Sequence, residues 1–390
     1  MRALSLSAIL SVGLCFSGSS SATKNGEDLA SDLREAIEDS TKSVADVQLL
    51  LEQKAEPIAG MLSAVRTGHV GKLQCLLDAR ADVNQLFQSG GGPFRWNLLC
   101  EHTLLEIAVR NANLAVVRAL MQAGAHSGYK MKRQGLSDET HLKAAVSQIV
   151  NFEKYPEESE LAILDCLLEE STKLEDGRQQ RSQAFASLCK KFQTFSRKLC
   201  EIQEEAFRSF CKYDTDLMSP VVLSRERGKE YSATPLIIIV KKASIPLLAY
   251  FLKTLEKTVG LEEIKHYVET TDSEGNCPLF VAAIRGSCAA MWLLSGYSAS
   301  ALTKHDEIYG TLAHALAQKI IYAFTPEERE KYIECAKFLR EWPVNLSQKN
   351  YYGYTAAGLL RRQGLYELSG LFEYQLSNSH SYSCLSTTSI

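Results

Sequence analysis

No phosphate-binding loop, dinucleotide fingerprint, H-E-x-x-H motif or C-x-x-C pair occurs anywhere in this 390-residue sequence. The familiar signatures of nucleotide, metalloprotease and thiol-redox chemistry are therefore missing. An excess of one charge is missing too. With 43 basic against 46 acidic residues the sum is −3, too even to drive sequence-independent binding to nucleic acid or to an anionic membrane, so a partner has to be recognised by shape. Past the N-terminus the purest apolar run covers residues 235–240, far short of the roughly 20 residues that span a bilayer, which excludes a multipass membrane protein. What remains is an ordinary globular composition, 45% apolar and 23% charged, and this excludes a mainly disordered or a collagen-like chain. The length allows two or three domains of common size, or one elongated array.

The chain opens with Met1-Arg2, continues through an apolar stretch from Ala3 to Phe16, and passes a small polar run over residues 17–21 to Ala22. That is the order of a secretory signal peptide, with Ser20 and Ala22 as the small residues before a cut at Thr23. The expectation is a leader over residues 1–22 and a secreted or periplasmic mature chain with no stable membrane insertion. The apolar stretch is short for an uncleaved anchor. A lipoprotein reading through Cys15 is weakened by the large Leu14 before it.

Eleven cysteines, ten of them past the leader, would suggest a disulfide framework in a small secreted protein. This chain is long enough to bury a core without staples. Cys75 and Cys166 each sit among leucines in an apolar helical pattern, where cysteine serves as a small hydrophobe. Mostly free, buried thiols are expected, which suits a reducing destination such as the cytosol of another cell.

Self-similarity organises the rest of the chain. The clearest unit runs Met61-Leu62-Ser63-Ala64-Val65-Arg66-Thr67-Gly68-His69-Val70, then the leucine-rich residues 73–77, then Ala81-Asp82-Val83-Asn84. A second copy holds Thr103-Leu104-Leu105-Glu106-Ile107-Ala108, residues 114–121 and Ala123-Gly124-Ala125. A third runs from Asp272 through Pro278-Leu279-Phe280-Val281-Ala282-Ala283, with Gly286 closing its first helix. Thr234-Pro235-Leu236 starts another, and the last copy keeps Gly353, Thr355, Gly364 and Leu371-Phe372. Weaker units begin at Leu33, at Thr140-His141-Leu142 and at Thr311-Leu312-Ala313-His314.

These residues resemble the ankyrin repeat, with its D-x-x-G-x-T-P-L-H-x-A-A opening, Gly-His turn, leucine-rich second helix and G-A-D-V-N loop. The resemblance implies an all-α, ankyrin-type helix-turn-helix solenoid over residues 23–374 and a protein-protein interaction module in place of an enzyme. Recognition would then use the loop tips and the concave helix face. Each motif has a physical reason. Thr before Pro supplies a capping hydroxyl and a residue whose missing N–H costs nothing at a helix start. Small alanines let neighbouring repeats approach, and no single repeat can bury its apolar face alone.

At the equivalent position the units start near Leu33, Met61, Leu105, Leu142, Leu236, Leu279, Ala313 and Ala357, in steps from 28 to 94 residues, against about 33 in a regular array. The array is irregular and carries insertions, with a divergent middle over residues 150–230. Residues 181–213 contain neither Gly nor Pro, and Phe185, Leu188, Phe192, Phe195, Leu199, Ile202 and Ala206 recur at spacings of three and four. One long helix, or two end to end, is expected there.

Candidates for chemistry are few. Cys189, Cys200 and Cys211 stand eleven apart, roughly 16 Å along a continuous helix, too far to share a metal unless the helix breaks. In the ankyrin-repeat family, histidines at the positions of His69 and His314 hydrogen-bond neighbouring loops, so a scaffold role is favoured over a catalytic one. Gly90-Gly91-Gly92 is followed by no helix carrying Lys-Ser or Lys-Thr and reads as a finger loop. Its continuation, Phe94-Arg95-Trp96, holds residue types enriched at binding hot spots and is the best partner-binding candidate; folding back over the neighbouring repeat is the competing reading. Asn345-Leu346-Ser347 matches a glycosylation acceptor. The Ser-rich tail over residues 375–390, expected to be disordered, ends Thr388-Ser389-Ile390, and Thr388 with Ile390 matches the carboxyl terminus taken by PDZ domains. No catalytic residue, cofactor, metal or nucleic-acid partner is expected. The functional reading is an exported protein-binding module delivered outside the producing cell, as an effector acting on a host or partner protein. The alternatives are a structural scaffold of an envelope or periplasm and an enzymatic insertion within residues 153–216.

Overall fold

The computed structural model describes residues 25–88, 101–129, 139–151, 157–192, 197–226, 228–298, 305–306, 310–342 and 344–373. The expected leader and the Ser-rich tail lie outside them. Among the described residues no helix is long and apolar enough to cross a membrane. The chain divides after Asp82 into two compact units.

The first unit holds α1 (Gly26–Glu38), α2 (Val44–Glu52), α3 (Ile58–Thr67) and α4 (Val70–Asp78). Each helix packs on its hairpin partner, and in addition α1 packs on α3 and α2 on α4. Leu33, Ile37, Met61, Leu73 and Leu76 are wholly buried between them. Lys72 is buried as well. Its Nζ donates to the carbonyls of Ala36 (2.8 Å), Ile37 (3.2 Å) and Asp39 (2.7 Å), so its three protons satisfy carbonyls that the end of α1 leaves without partners.

The second unit repeats this arrangement. Its pairs are α5 (Leu104–Arg110) with α6 (Leu114–Gln122), α7 (His141–Ile149) with α8 (Glu158–Ser171), and α9 (Gly177–Lys191) with α10 (Arg197–Cys211). Then come α11 (Pro235–Lys242) with α12 (Ile245–Val259), an extra helix α13 (Leu261–Glu269), and α14 (Pro278–Ile284) with α15 (Cys288–Ser295). Last are α16 (Leu312–Tyr322) with α17 (Pro326–Arg340), and α18 (Ala356–Arg362) with the short α19 (Tyr366–Ser369), which runs into a 3-10 turn over Gly370–Phe372. The first helix of each pair packs on the first helix of the next, from α5 through α7, α9, α11, α14 and α16 to α18. The second helices do the same from α6 through α8, α10, α12 and α15 to α17.

Capping sets the register. Thr103, Thr140, Thr234 and Thr355 each precede a first helix, and each hydroxyl accepts from the backbone N–H three residues on, satisfying one of the free donors of a helix start. All eight residues used to align the units fall in first helices and are buried. Among the described residues the all-α expectation is met apart from three antiparallel strand pairs in the loops that lead into α5, α11 and α16. These are β1 (Leu86–Gln88) with β2 (Glu101–Thr103), β3 (Val221–Glu226) with β4 (Lys229–Ala233), and β5 (His305–Asp306) with β6 (Gly310–Thr311).

The middle differs from expectation. In place of one long helix, or two end to end, α9 and α10 lie against each other. Phe207 of α10 meets Phe185 edge-on at 5.2 Å between ring centroids and Phe192 at 5.0 Å. The apolar spacing of three and four residues runs through the break, and the two faces it generates bury more surface against one another than a continuous helix exposed on both sides could. The 94-residue step thus contains one divergent helix pair, fitted between α7 and α8 on one side and α11 and α12 on the other. Two side chains tie it in. Glu204 accepts from Ser244 N (2.7 Å) and Oγ (2.7 Å) at the start of α12. Lys242 donates to the Phe192 carbonyl at 2.7 Å, at the end of α9.

Candidate binding surface

Phe94, Arg95 and Trp96 belong to the loop between β1 and β2 and lie outside the described residues, as do Thr388 and Ile390. The stem of that loop is built from a buried polar cluster. Thr103 at the end of β2 caps α5, its hydroxyl accepting from Glu106 N at 3.0 Å and pairing with Nε2 of His141 at 2.8 Å. The other imidazole nitrogen of His141 donates to the Ser127 carbonyl at 2.7 Å. Burial holds the His141 pKa below its ordinary value, although the Ser127 bond and the Glu106 charge pull the other way. Glu106 has no exposed surface. Burial alone would raise its pKa, but the hydrogen bond from His102 Nδ1 (2.8 Å) and the charge of Arg110, whose Nε lies 2.8 Å away, outweigh it and keep the carboxyl below the usual range. Arg110 continues to Glu139 at 3.2 Å. These groups fasten one repeat to the next.

His314 accepts from Thr311 N at 3.2 Å, and its Nε2 donates to the Tyr354 carbonyl at 2.9 Å, the loop-to-loop role the resemblance implies. His69 precedes α4 without a side-chain capping bond. The eight described cysteines are free thiols, of which Cys189, Cys211, Cys277 and Cys335 are buried. Burial pushes Cys211 up to about 12 and Cys200 to about 11. Although the helix carrying Cys189 breaks before Cys200, no three His, Cys, Asp or Glu side chains among the described residues form a group able to hold a metal ion. Asn345 is exposed, with Ser347 N–H donating to its Oδ1 at 3.1 Å.

A surface the sequence reading passed over stands at the loop before α18. Tyr351 is 83% exposed, Tyr352 73% and Tyr354 37%, which sets three amphipathic aromatic rings at the surface of one turn. The backbone beneath them is fixed. Buried Asn350 accepts through Oδ1 from Tyr352 N (3.0 Å) and Tyr354 N (3.1 Å), while its own N–H donates to the Tyr354 carbonyl at 2.9 Å. That carbonyl also receives His314. Gly353 sits at φ 79°, the left-handed region that lets the turn close. Tyr351 and Tyr352 pack edge to face at 5.4 Å, and the Arg362 guanidinium lies over the Tyr354 ring at 5.2 Å. Tyr366 of α19 is 69% exposed. Rigid backbone under exposed aromatic rings is the arrangement that binds with little ordering cost. The signal is present as Tyr351-Tyr352-Gly353-Tyr354, in a copy whose repeat markers are Gly353, Thr355, Gly364 and Leu371-Phe372.

No protein-family model matches the chain, and no curated protein matches it. Among solved structures it is similar to the human ASB11 ankyrin repeat domain, at 16% identity and a TM-score of 0.35, covering 81% of this chain and 99% of that one. It is also similar to an ankyrin repeat domain from Acinetobacter baumannii, at 13% identity and a TM-score of 0.24, covering 80% of this chain and 95% of that one. The features that agree with the ankyrin-repeat resemblance are internal to the chain: threonine-capped first helices, second helices packed pair on pair, and a histidine of one repeat bound to the loop of the next.

Proposed function

We propose that the chain is a protein-binding module whose contact surface includes the loop tip at Tyr351, Tyr352 and Tyr354. The supporting observation is the combination of strong exposure and a turn held by hydrogen bonds to Asn350. Tyrosine is enriched among residues whose truncation costs about 2 kcal/mol or more of binding. Capture from a target-cell lysate with the full chain, beside the Tyr351→Ala/Tyr352→Ala variant, tests this. The expected result is loss of a bound protein with the melting temperature unchanged, because both rings are in solvent. Equal capture by both forms would refute the tip as the contact surface. The loop holding Phe94, Arg95 and Trp96 is proposed as a second contact, tested by the corresponding double-alanine variant.

The proposal extends to delivery. A leader over residues 1–22 and free thiols in the folded chain fit a protein exported by its producer and acting in a reducing compartment of another cell. Fractionation of producing cells, medium and target cells tests this; retention of the uncut chain in the producer would exclude it.

A further inference from the structure

Between Glu341 and Glu367 the sequence has no carboxylate, while it has Lys349, Arg361 and Arg362. In a chain with a net charge of −3 this is a local reversal of sign, and it coincides with the tyrosine tip. Arg361 is neutralised, its Nη2 donating to Glu373 Oε1. The other two are not. Lys349 lies next to buried Asn350, and Arg362 is exposed with its guanidinium over the Tyr354 ring; neither forms an ion pair with a carboxylate among the described residues. Some exposed cations elsewhere do have such partners, as Lys173 has Glu170 and Arg225 has Glu230.

The Arg362 guanidinium, its Cζ 5.2 Å from the Tyr354 ring centroid, carries the N–H fork that can grip a carboxylate through two parallel hydrogen bonds. The hydroxyls of Tyr351 and Tyr352 add donors on the same turn. Together these are positive charge, hydrogen-bond donors and flat apolar surface, held on a fixed turn.

We infer that the segment this tip binds is an acidic stretch of a partner protein, with Asp or Glu side chains set against Lys349 and Arg362 and an apolar residue against the tyrosines; this rests on the reading of the tip as a protein-binding surface. A polynucleotide would meet the same donors, but two unpaired cations neutralise too few phosphates to overcome the repulsion of a net acidic chain.

Selection from a random linear peptide library on the immobilised full chain tests the inference. The recovered peptides are then measured against the wild type, Lys349→Gln/Arg362→Gln, Lys349→Glu/Arg362→Glu and Tyr351→Ala/Tyr352→Ala. The expected result is peptides rich in Asp and Glu that weaken stepwise along the charge series, by about ten-fold at full reversal, and that weaken as NaCl is raised. Recovered peptides that need Tyr351 and Tyr352 but are uncharged, and indifferent to the charge series, would overturn the acidic partner and leave the binding tip standing. Peptides indifferent to the tyrosines, or none recovered, would remove both. Binding of a random single-stranded oligonucleotide as tightly as the best peptide would also overturn the inference.

Discussion

Removing the Phe207 ring tests whether α9 and α10 form a true repeat or an appendage. The ring is wholly buried and makes edge contacts with both Phe185 and Phe192. Phe207→Leu keeps much of the volume and forfeits the two aromatic pairs, about 1–3 kcal/mol at 0.5–1.5 each. Phe207→Ala adds the lost transfer energy and a cavity, for a total of about 3–5 kcal/mol. In a stack whose units are stabilised by nearest neighbours, that loss stays local. Hydrogen exchange read by mass spectrometry should therefore speed up in α9 and α10 first, then in α7, α8, α11 and α12, and leave α16–α18 protected. Urea unfolding should separate into more than one transition, because repeat arrays lose two-state behaviour when a middle unit weakens. Uniform acceleration throughout the second unit, or a cost below about 1 kcal/mol for the alanine variant, would refute the reasoning.

Three further outcomes are expected. His141 is buried in its neutral form with a lowered pKa, so the unfolded chain binds its proton first. Stability linked to it is complete above the ordinary value near 6.5 and falls as pH drops from there towards the folded value. The stability gap between wild type and His141→Gln should narrow between pH 7.5 and 5.5, and a constant gap would contradict this. Gly286→Ala should cost about 1–2 kcal/mol in urea unfolding, because φ is 67° and a Cβ would stand 3.1 Å from that of Lys331; an unchanged midpoint would argue against the turn as described. Alkylation of the native chain at pH 8 should spare Cys189, Cys211 and Cys335, since burial pushes the last two to about 12 and Cys189 well above its ordinary value. Rapid labelling of any of the three would contradict their burial.

The repeat units were legible in the sequence because their signals are local. Thr234 before Pro235 names a helix start, Gly286 a helix end, and the eight alignment positions all came out buried in first helices. The tyrosine tip was hidden for a related reason. Tyr351-Tyr352-Gly353-Tyr354 reads equally as core or as surface, and only the folded chain, in which His314 of the preceding repeat bonds the Tyr354 carbonyl of a turn closed on Asn350, decides that the rings face out. The middle shows the same division. The spacing of Phe185, Phe192 and Phe207 determined an apolar helical face, because periodicity depends on neighbours along the chain. Whether that face runs straight or folds onto itself depends on which burial is larger in three dimensions, and there the packing of one phenylalanine against two others decided.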